Sequence, residues 1–127
     1  MKQSIFLWYR NMKNKVCVYA ICKNEIKFVE QWLANMSEAD YIVVLDTGST
    51  DGTLEKLQAD SRVTCVKSEI ITPWRFDVAR NASMKLVPDD ANILVCTDFD
   101  ELFTPGWCDV LRAHWLENTT RAHYMYA

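Results

Sequence analysis

The sequence predicts an α/β fold with a Rossmann-like, mostly parallel sheet that carries helices on both faces. Four short apolar runs, at residues 16–21, 41–45, 63–66 and 93–96, have the length and composition of buried strands. A helical pattern follows each run, and this alternation is typical of parallel sheets. With 127 residues, 50% of them hydrophobic, the chain is long enough for one domain with a buried core.

The first half of the chain is predicted to form two strands and two helices. After the first strand and a polar turn, apolar residues recur on one face of a helix, at Phe28, Val29, Trp32, Leu33 and Met36. The second strand, at 41–45, ends in Asp46 and a turn of small polar residues. Thr50 or Asp51 is placed to cap the short helix that follows this turn.

The second half repeats the pattern. After the strand at 63–66, a helix over 77–87 is expected to bury Val78, Ala79, Ala82 and Leu86. The fourth strand starts at Ile93, and Pro105 opens a helix at a position where proline is tolerated. The expected buried side of that helix consists of Trp107, Val110, Leu111 and Trp115. Residues 122–127 resemble the start of another strand.

We therefore expect an N-terminal extension at residues 1–15 and a domain at 16–127 that is the truncated front part of a longer protein. The net charge of −3 and the absence of a Lys/Arg run argue against a nucleic-acid surface. The five cysteines form no C-x-x-C pair and are typical of small buried residues in a reduced, cytoplasmic protein. The apolar segment 5–9 is too short to span a bilayer and is expected to pack on the domain, with a docking helix or a weak contact at the inner face of the membrane as the alternatives.

Carboxylates follow two of the predicted strands. Asp98 and Asp100 come directly after the fourth strand and, being two residues apart, point the same way in extended chain. Their oxygens suit Mg²⁺ or Mn²⁺. Asp46 ends the second strand, and the carboxyl ends of parallel strands share one edge. One nucleotide could therefore bind at Asp46 with its base or ribose and, through a metal ion, at Asp98 and Asp100 with its diphosphate. The alternative is that the aspartates after the fourth strand are solvated side chains at an acidic strand-to-loop junction that binds nothing.

Two other interpretations of the Asp-Thr-Gly loop at residues 46–53 fail. An aspartic protease needs an all-β fold with a glycine-rich flap, whereas this chain has three glycines and at least four helical patterns. A haloacid-dehalogenase-type phosphatase needs an aspartate nucleophile where the chain has Ser49. A third interpretation, in which the loop is a helix-capping turn that binds no ligand, remains possible at this point.

Four motifs together resemble family 2 glycosyltransferases of the GT-A fold. They are Lys-Asn-Glu at 23–25, Asp-Thr-Gly-Ser-Thr-Asp at 46–51, Ala-Arg-Asn at 79–81 and Thr-Asp-Phe-Asp-Glu at 97–101. The resemblance runs from about residue 16 to residue 115. It implies a metal-dependent, inverting transfer of a sugar from a nucleotide diphosphate donor, such as a UDP-sugar, to an acceptor that is a glycan, a lipid-linked sugar or a protein.

The resemblance also implies the side chains of a nucleotide pocket. Asp46 is expected to hydrogen-bond the donor base, with Gly48 in the same loop against the nucleotide. Ala20, Lys23 and Glu25 are expected in the turn that forms one wall of the pocket.

The remaining implied residues lie in the second half of the chain. Asp100, assisted by Asp98, is expected to hold Mn²⁺ or Mg²⁺ in the manner of a DXD motif. Arg80 is expected near the nucleotide, with Asp77 orienting it.

The resemblance leaves the catalytic base unassigned. In the family the general base lies beyond the Asp-x-Asp strand, and the segment from Thr104 to Ala127 offers no candidate. The base is therefore expected beyond Ala127, and the chain is expected to hold mainly the donor-binding half of the enzyme. The alternative function is a non-catalytic nucleotide-binding or interaction module of the same fold.

Overall fold

A computed structural model describes residues 14–115 and has the predicted α/β architecture. Its strands are β1 (Val16–Cys22), β2 (Tyr41–Asp46), β3 (Cys65–Ser68) and β4 (Ile93–Cys96). Its helices are α1 (Ile26–Met36), α2 (Thr53–Ala59), α3 (Phe76–Met84) and α4 (Trp107–His114). The predictions for segments 1–13 and 122–127 lie outside the described residues.

The sheet is entirely parallel, with strand order β3-β2-β1-β4. From β1 the chain moves outward through β2 to β3 and then crosses back to place β4 on the other side of β1. The strand order therefore reverses between β1 and β4. In open α/β sheets this reversal leaves a crevice at the carboxyl ends of the two strands, where ligands bind.

The two faces of the sheet bury alternate residues of each strand. On one face, Val18, Ala20 and Cys22 of β1 join a core formed with the apolar side of α1. That side consists of Val29, Trp32, Leu33 and Met36, as predicted. On the other face, Cys17 and Val43 are fully buried, and α3 contacts β1 and β2. Helices on both faces are thereby confirmed.

Two helices differ from the sequence prediction in which side they bury. α3 buries Ala79 and Ser83, while Val78 is 38% exposed, because small side chains at i and i+4 let the helix lie close to the sheet. α4 buries Cys108 and leaves Val110 exposed. Its rotation is set by the Glu38 carboxylate, which accepts hydrogen bonds from the backbone amides of residues 106 and 108.

All five cysteines lie within the described residues and are free thiols. Cys17, Cys22 and Cys108 are buried, and burial raises their pKa values, which keeps the thiols protonated. Among residues 14–115, no helix is long and apolar enough to cross a lipid bilayer.

Candidate functional site

Three loops meet at the carboxyl edge of the sheet. They follow β1, β2 and β4 and span residues 23–25, 47–52 and 97–106. Asp46 aligns with Cys22 across the β1–β2 pair, and Cys96 aligns with Tyr19 across the β1–β4 pair. Asp46 and the aspartates after β4 therefore lie at the same edge of the sheet, on either side of β1.

The turn after β4 is anchored by Phe99. Its side chain is only 2% exposed and stacks on the fully buried Trp32, with ring centroids 4.1 Å apart and planes 13° from parallel. The residues on either side, Asp98 and Asp100, are exposed. The Glu101 carboxylate accepts a hydrogen bond from the Asp98 amide (2.8 Å). An inward aromatic ring thus directs both aspartates outward.

Glu25, in the turn after β1, faces these aspartates across the crevice. Its pKa is raised first by burial and then by the negative charges of Asp100 and Asp98. The pKa of Asp98 is also raised, because its carboxyl group is partly shielded from water by the surrounding chain and because Glu101 and Asp100 are negatively charged, with Arg80 opposing the shift. The charged forms of Glu25 and Asp98 are thus disfavoured, which is the electrostatic condition that a bound cation relieves.

The described residues do not form a metal-binding cage on their own. Among residues 14–115, no three His, Cys, Asp or Glu side chains are arranged to hold a metal ion. Mg²⁺ in nucleotide sites is usually bound by one or two carboxylates, with substrate phosphates and waters completing the shell. The exposed pair Asp98 and Asp100, with hard oxygen donors and a surplus of negative charge, fits a cation held in that way.

Asp46 occupies a different environment from the one that the sequence predicted. Its carboxylate is fully buried. Oδ1 accepts hydrogen bonds from the amides of Gly48 (3.0 Å) and Ser49 (2.9 Å), and the Cys22 thiol donates to Oδ2 (3.5 Å). Both oxygens are engaged inside the protein because the side chain closes the turn that follows it. This arrangement gives the side chain a role in shaping the loop, and its expected hydrogen bond to a donor base stays a prediction.

Two further residues of the predicted nucleotide pocket differ in exposure. Ala20 is 2% exposed and lies within β1 opposite Val44, so it supports the pocket from inside the core. Lys23 is exposed in the turn after β1. Gly48 has a φ of +114°, which side-chain-bearing residues rarely adopt. A Cβ on Gly48 would lie 3.6 Å from the Ile70 side chain, which borders the loop.

Arg80 and Asp77, predicted to act together, have different partners. Asp77 pairs with Arg75 (2.7 Å), and both side chains are exposed. The Arg80 guanidinium lies 4.6 Å from the centre of the Phe76 ring and is near enough to Asp98 to oppose its pKa shift. Its buried Nε has no hydrogen-bond partner in the part of the chain that the structure describes. Asp77 thus has an ion-pair partner in Arg75, directly before α3, and its expected role in orienting Arg80 stays a prediction.

The loops after β1 and β2 are joined by hydrogen bonds that sequence analysis did not anticipate. The amide of Asn24 donates to Ser49 Oγ (2.8 Å), and the amide of Thr50 donates to Asn24 Oδ1 (2.7 Å). Asn24 has a φ of 54°, a left-handed conformation that asparagine tolerates. In the sequence, only the Lys-Asn-Glu motif pointed to this loop. Its partner Ser49 lies 25 residues away and is brought next to Asn24 by the pairing of β1 with β2.

The sequence analysis left the catalytic base unassigned. The sequence analysis expected it beyond Ala127, and Ala127 itself lies outside the described residues, which end at residue 115. The location of the base therefore stays a prediction.

Comparison with known proteins gives one finding. A model of a family described as glycosyl transferase family 2 matches residues 17–124, which is most of the chain. No curated protein matches the chain.

Proposed function

The chain belongs to glycosyl transferase family 2, and we propose that its described part binds the donor, a sugar nucleotide diphosphate, for transfer to an acceptor. The observation that carries this proposal is the meeting of Glu25, Asp98 and Asp100 at the crevice between β1 and β4. A parallel sheet concentrates its ligands at such a crevice. The repulsion among the carboxylates favours a ligand that brings a divalent cation with it.

Asp98 and Asp100 are the residues that we propose to hold Mn²⁺ or Mg²⁺. When bound, the cation supplies Lewis-acid stabilisation for the charge that develops on the departing nucleoside diphosphate. The inward packing of Phe99 supports this role because it fixes the backbone between the two carboxylates. A ligand pair fixed in this way loses little conformational freedom on binding.

Cationic side chains near the crevice can receive the phosphates of the donor. We propose Lys23 and Arg80 for this role, because Lys23 is exposed in the turn after β1 and Arg80 is near Asp98. The unpartnered Nε of Arg80 favours an anionic ligand, since a buried donor without an acceptor costs about 1–3 kcal/mol. A guanidinium matches the geometry of a phosphate. Asp77 is paired with Arg75, and we propose no direct contact between Asp77 and the phosphates.

The nucleoside part is proposed to lie against the loops after β1 and β2. Gly48 allows the backbone to approach a ring closely, and Asp46 holds this loop from below. The turn that carries Glu25 is proposed to form one wall of this pocket. Uracil is the base that we propose, and inversion at the anomeric carbon is the expected stereochemistry of transfer. The proposed acceptor is a glycan, a lipid-linked sugar or a protein.

Calorimetry with UDP, with and without Mn²⁺, tests the proposal. We expect UDP to bind more tightly with Mn²⁺, and Asp100→Asn to weaken this metal-dependent binding by at least about tenfold. Asp89→Asn, an exposed aspartate in the turn before β4, is the matched control and is expected to match the wild type. If UDP does not bind under either condition, the alternative of a non-catalytic interaction module is favoured.

A further inference from the structure

The turn that carries Glu25 is held by residues at the start of α2. The Glu25 amide donates a hydrogen bond to Thr53 Oγ1 (2.9 Å), and the Thr53 hydroxyl donates to the Asp51 carboxylate. The other oxygen of Asp51 accepts a hydrogen bond from the Ile26 amide (3.2 Å). The Thr53 hydroxyl, at the first residue of α2, and the Asp51 carboxylate, in the loop before it, thus bind the backbone where α1 begins.

Thr53 is the central residue of this link. It is fully buried, and its hydroxyl accepts one hydrogen bond and donates another, so the direction of its proton is determined. The Thr53 amide also donates to Asp51 Oδ1 (3.0 Å). A shift of the Glu25 backbone would break a hydrogen bond to a buried hydroxyl, and such a group has no water to replace its partner.

The position of Glu25 matters because its carboxylate adds to the negative charge of the crevice. β1 and β4 are neighbouring strands, and Glu25 follows the end of β1 as Asp98 follows the end of β4. The negative charges of Asp98 and Asp100 contribute to the raised pKa of Glu25, so the three carboxylates are close enough to interact. The attraction of the three carboxylates for a cation depends on how closely Glu25 approaches the other two.

We propose that Thr53 and Asp51 are positioning residues, which hold the Glu25 carboxylate beside Asp98 and Asp100 and thereby strengthen cation binding in the donor site. The inference rests on the function proposed above. It differs from simple support of the fold, because the link should affect metal-dependent binding more than metal-independent binding.

Replacement of the buried hydroxyl by a methyl group tests this role. Thr53→Val keeps the shape of the side chain and removes the acceptor for the Glu25 amide. We expect UDP affinity in Mn²⁺ to fall about tenfold, the lower end of the range for residues that surround a metal site without binding the metal, with little change in UDP affinity without metal. Thr53→Ser retains the hydroxyl and should restore the affinity. Asp51→Ala, at an exposed position, should reproduce the effect if Thr53→Val folds poorly.

A matched control and a double variant separate positioning from stability. Thr64 Oγ1 accepts a hydrogen bond from the Ile42 amide at the opposite end of β2 (3.1 Å), so Thr64→Val removes the same kind of bond away from the site. It should leave the Mn²⁺ dependence unchanged. In a Glu25→Gln background, Thr53→Val should cause no further loss, because its effect acts through that carboxylate.

The possible results distinguish the two proposals. If the wild type binds UDP with Mn²⁺ but Thr53→Val binds equally well, or if the loss persists in Glu25→Gln, the positioning role is wrong and the proposed function stands. If the wild type binds no UDP, the proposed function fails and the positioning role fails with it. Hydrogen exchange of the Glu25 amide, measured by NMR, should be faster in Thr53→Val, and unchanged exchange would overturn the link itself.

Discussion

Replacing Phe99 by alanine should damage both the fold and the site. The ring is 2% exposed and stacks on Trp32, which is itself fully buried. Loss of a buried phenylalanine side chain costs about 3–5 kcal/mol of unfolding free energy through lost burial and the cavity left behind. About 0.5–1.5 kcal/mol of that loss corresponds to the aromatic pair. The Phe99→Ala backbone is also free to shift, which should misplace Asp98 and Asp100.

Urea unfolding followed by the linear extrapolation method measures the stability term. Phe99→Leu fills most of the same volume and should cost less than about 1.5 kcal/mol, so it stays folded if the alanine variant does not. Leu102→Ala is the control, since Leu102 is 47% exposed and should change stability by no more than about 0.5 kcal/mol. A cost below about 1 kcal/mol for Phe99→Ala would refute the anchoring role of the ring.

Two further predictions concern acid stability and the loop after β2. Hydrogen bonds from Arg62 lower the pKa of Asp60 from 3.8 to about 2, so the stability gained from this pair is present above about pH 4 and lost as the pH falls towards 2. Asp60→Asn should therefore flatten the pH dependence of the unfolding free energy in that window, and an unchanged slope in urea titrations would contradict the assignment. Gly48→Ala should cost about 1–3 kcal/mol, because φ is +114° while the Ile70 side chain leaves room for a methyl group. Equal stability of this variant and the wild type in the same assay would show that the loop relaxes freely.

The sequence predicted the architecture because the relevant signals are local. Strands β1 and β4 consist of apolar residues, and β2 is apolar up to Asp46. The period of α1 places its buried residues on one side, whatever the rest of the chain does. The prediction was less accurate for α3 and α4. Their rotation about the helix axis is set by contacts such as those of Glu38 with the start of α4, which involve residues far apart in sequence.

The candidate site divides in the same way. The positions of Asp98 and Asp100 directly after a strand were visible in the sequence, and so was the placement of Asp46 at the same edge of the sheet. The sequence could not show that Asp46 is sealed beneath its own turn, because burial depends on the packing of neighbouring strands. Nor could it show that Arg75 takes Asp77 as its partner.

The sequence by itself determined the number and kind of the described helices and strands, since hydrophobic period and turn chemistry act over a few residues. It also showed that acidic residues lie at the carboxyl ends of β2 and β4. Only the tertiary structure decided that β4 lies beside β1, and this brings Glu25 to the aspartates that follow β4. The physical reason is that strand order depends on which faces of the helices are buried together, a free-energy balance over the whole core that no short segment contains.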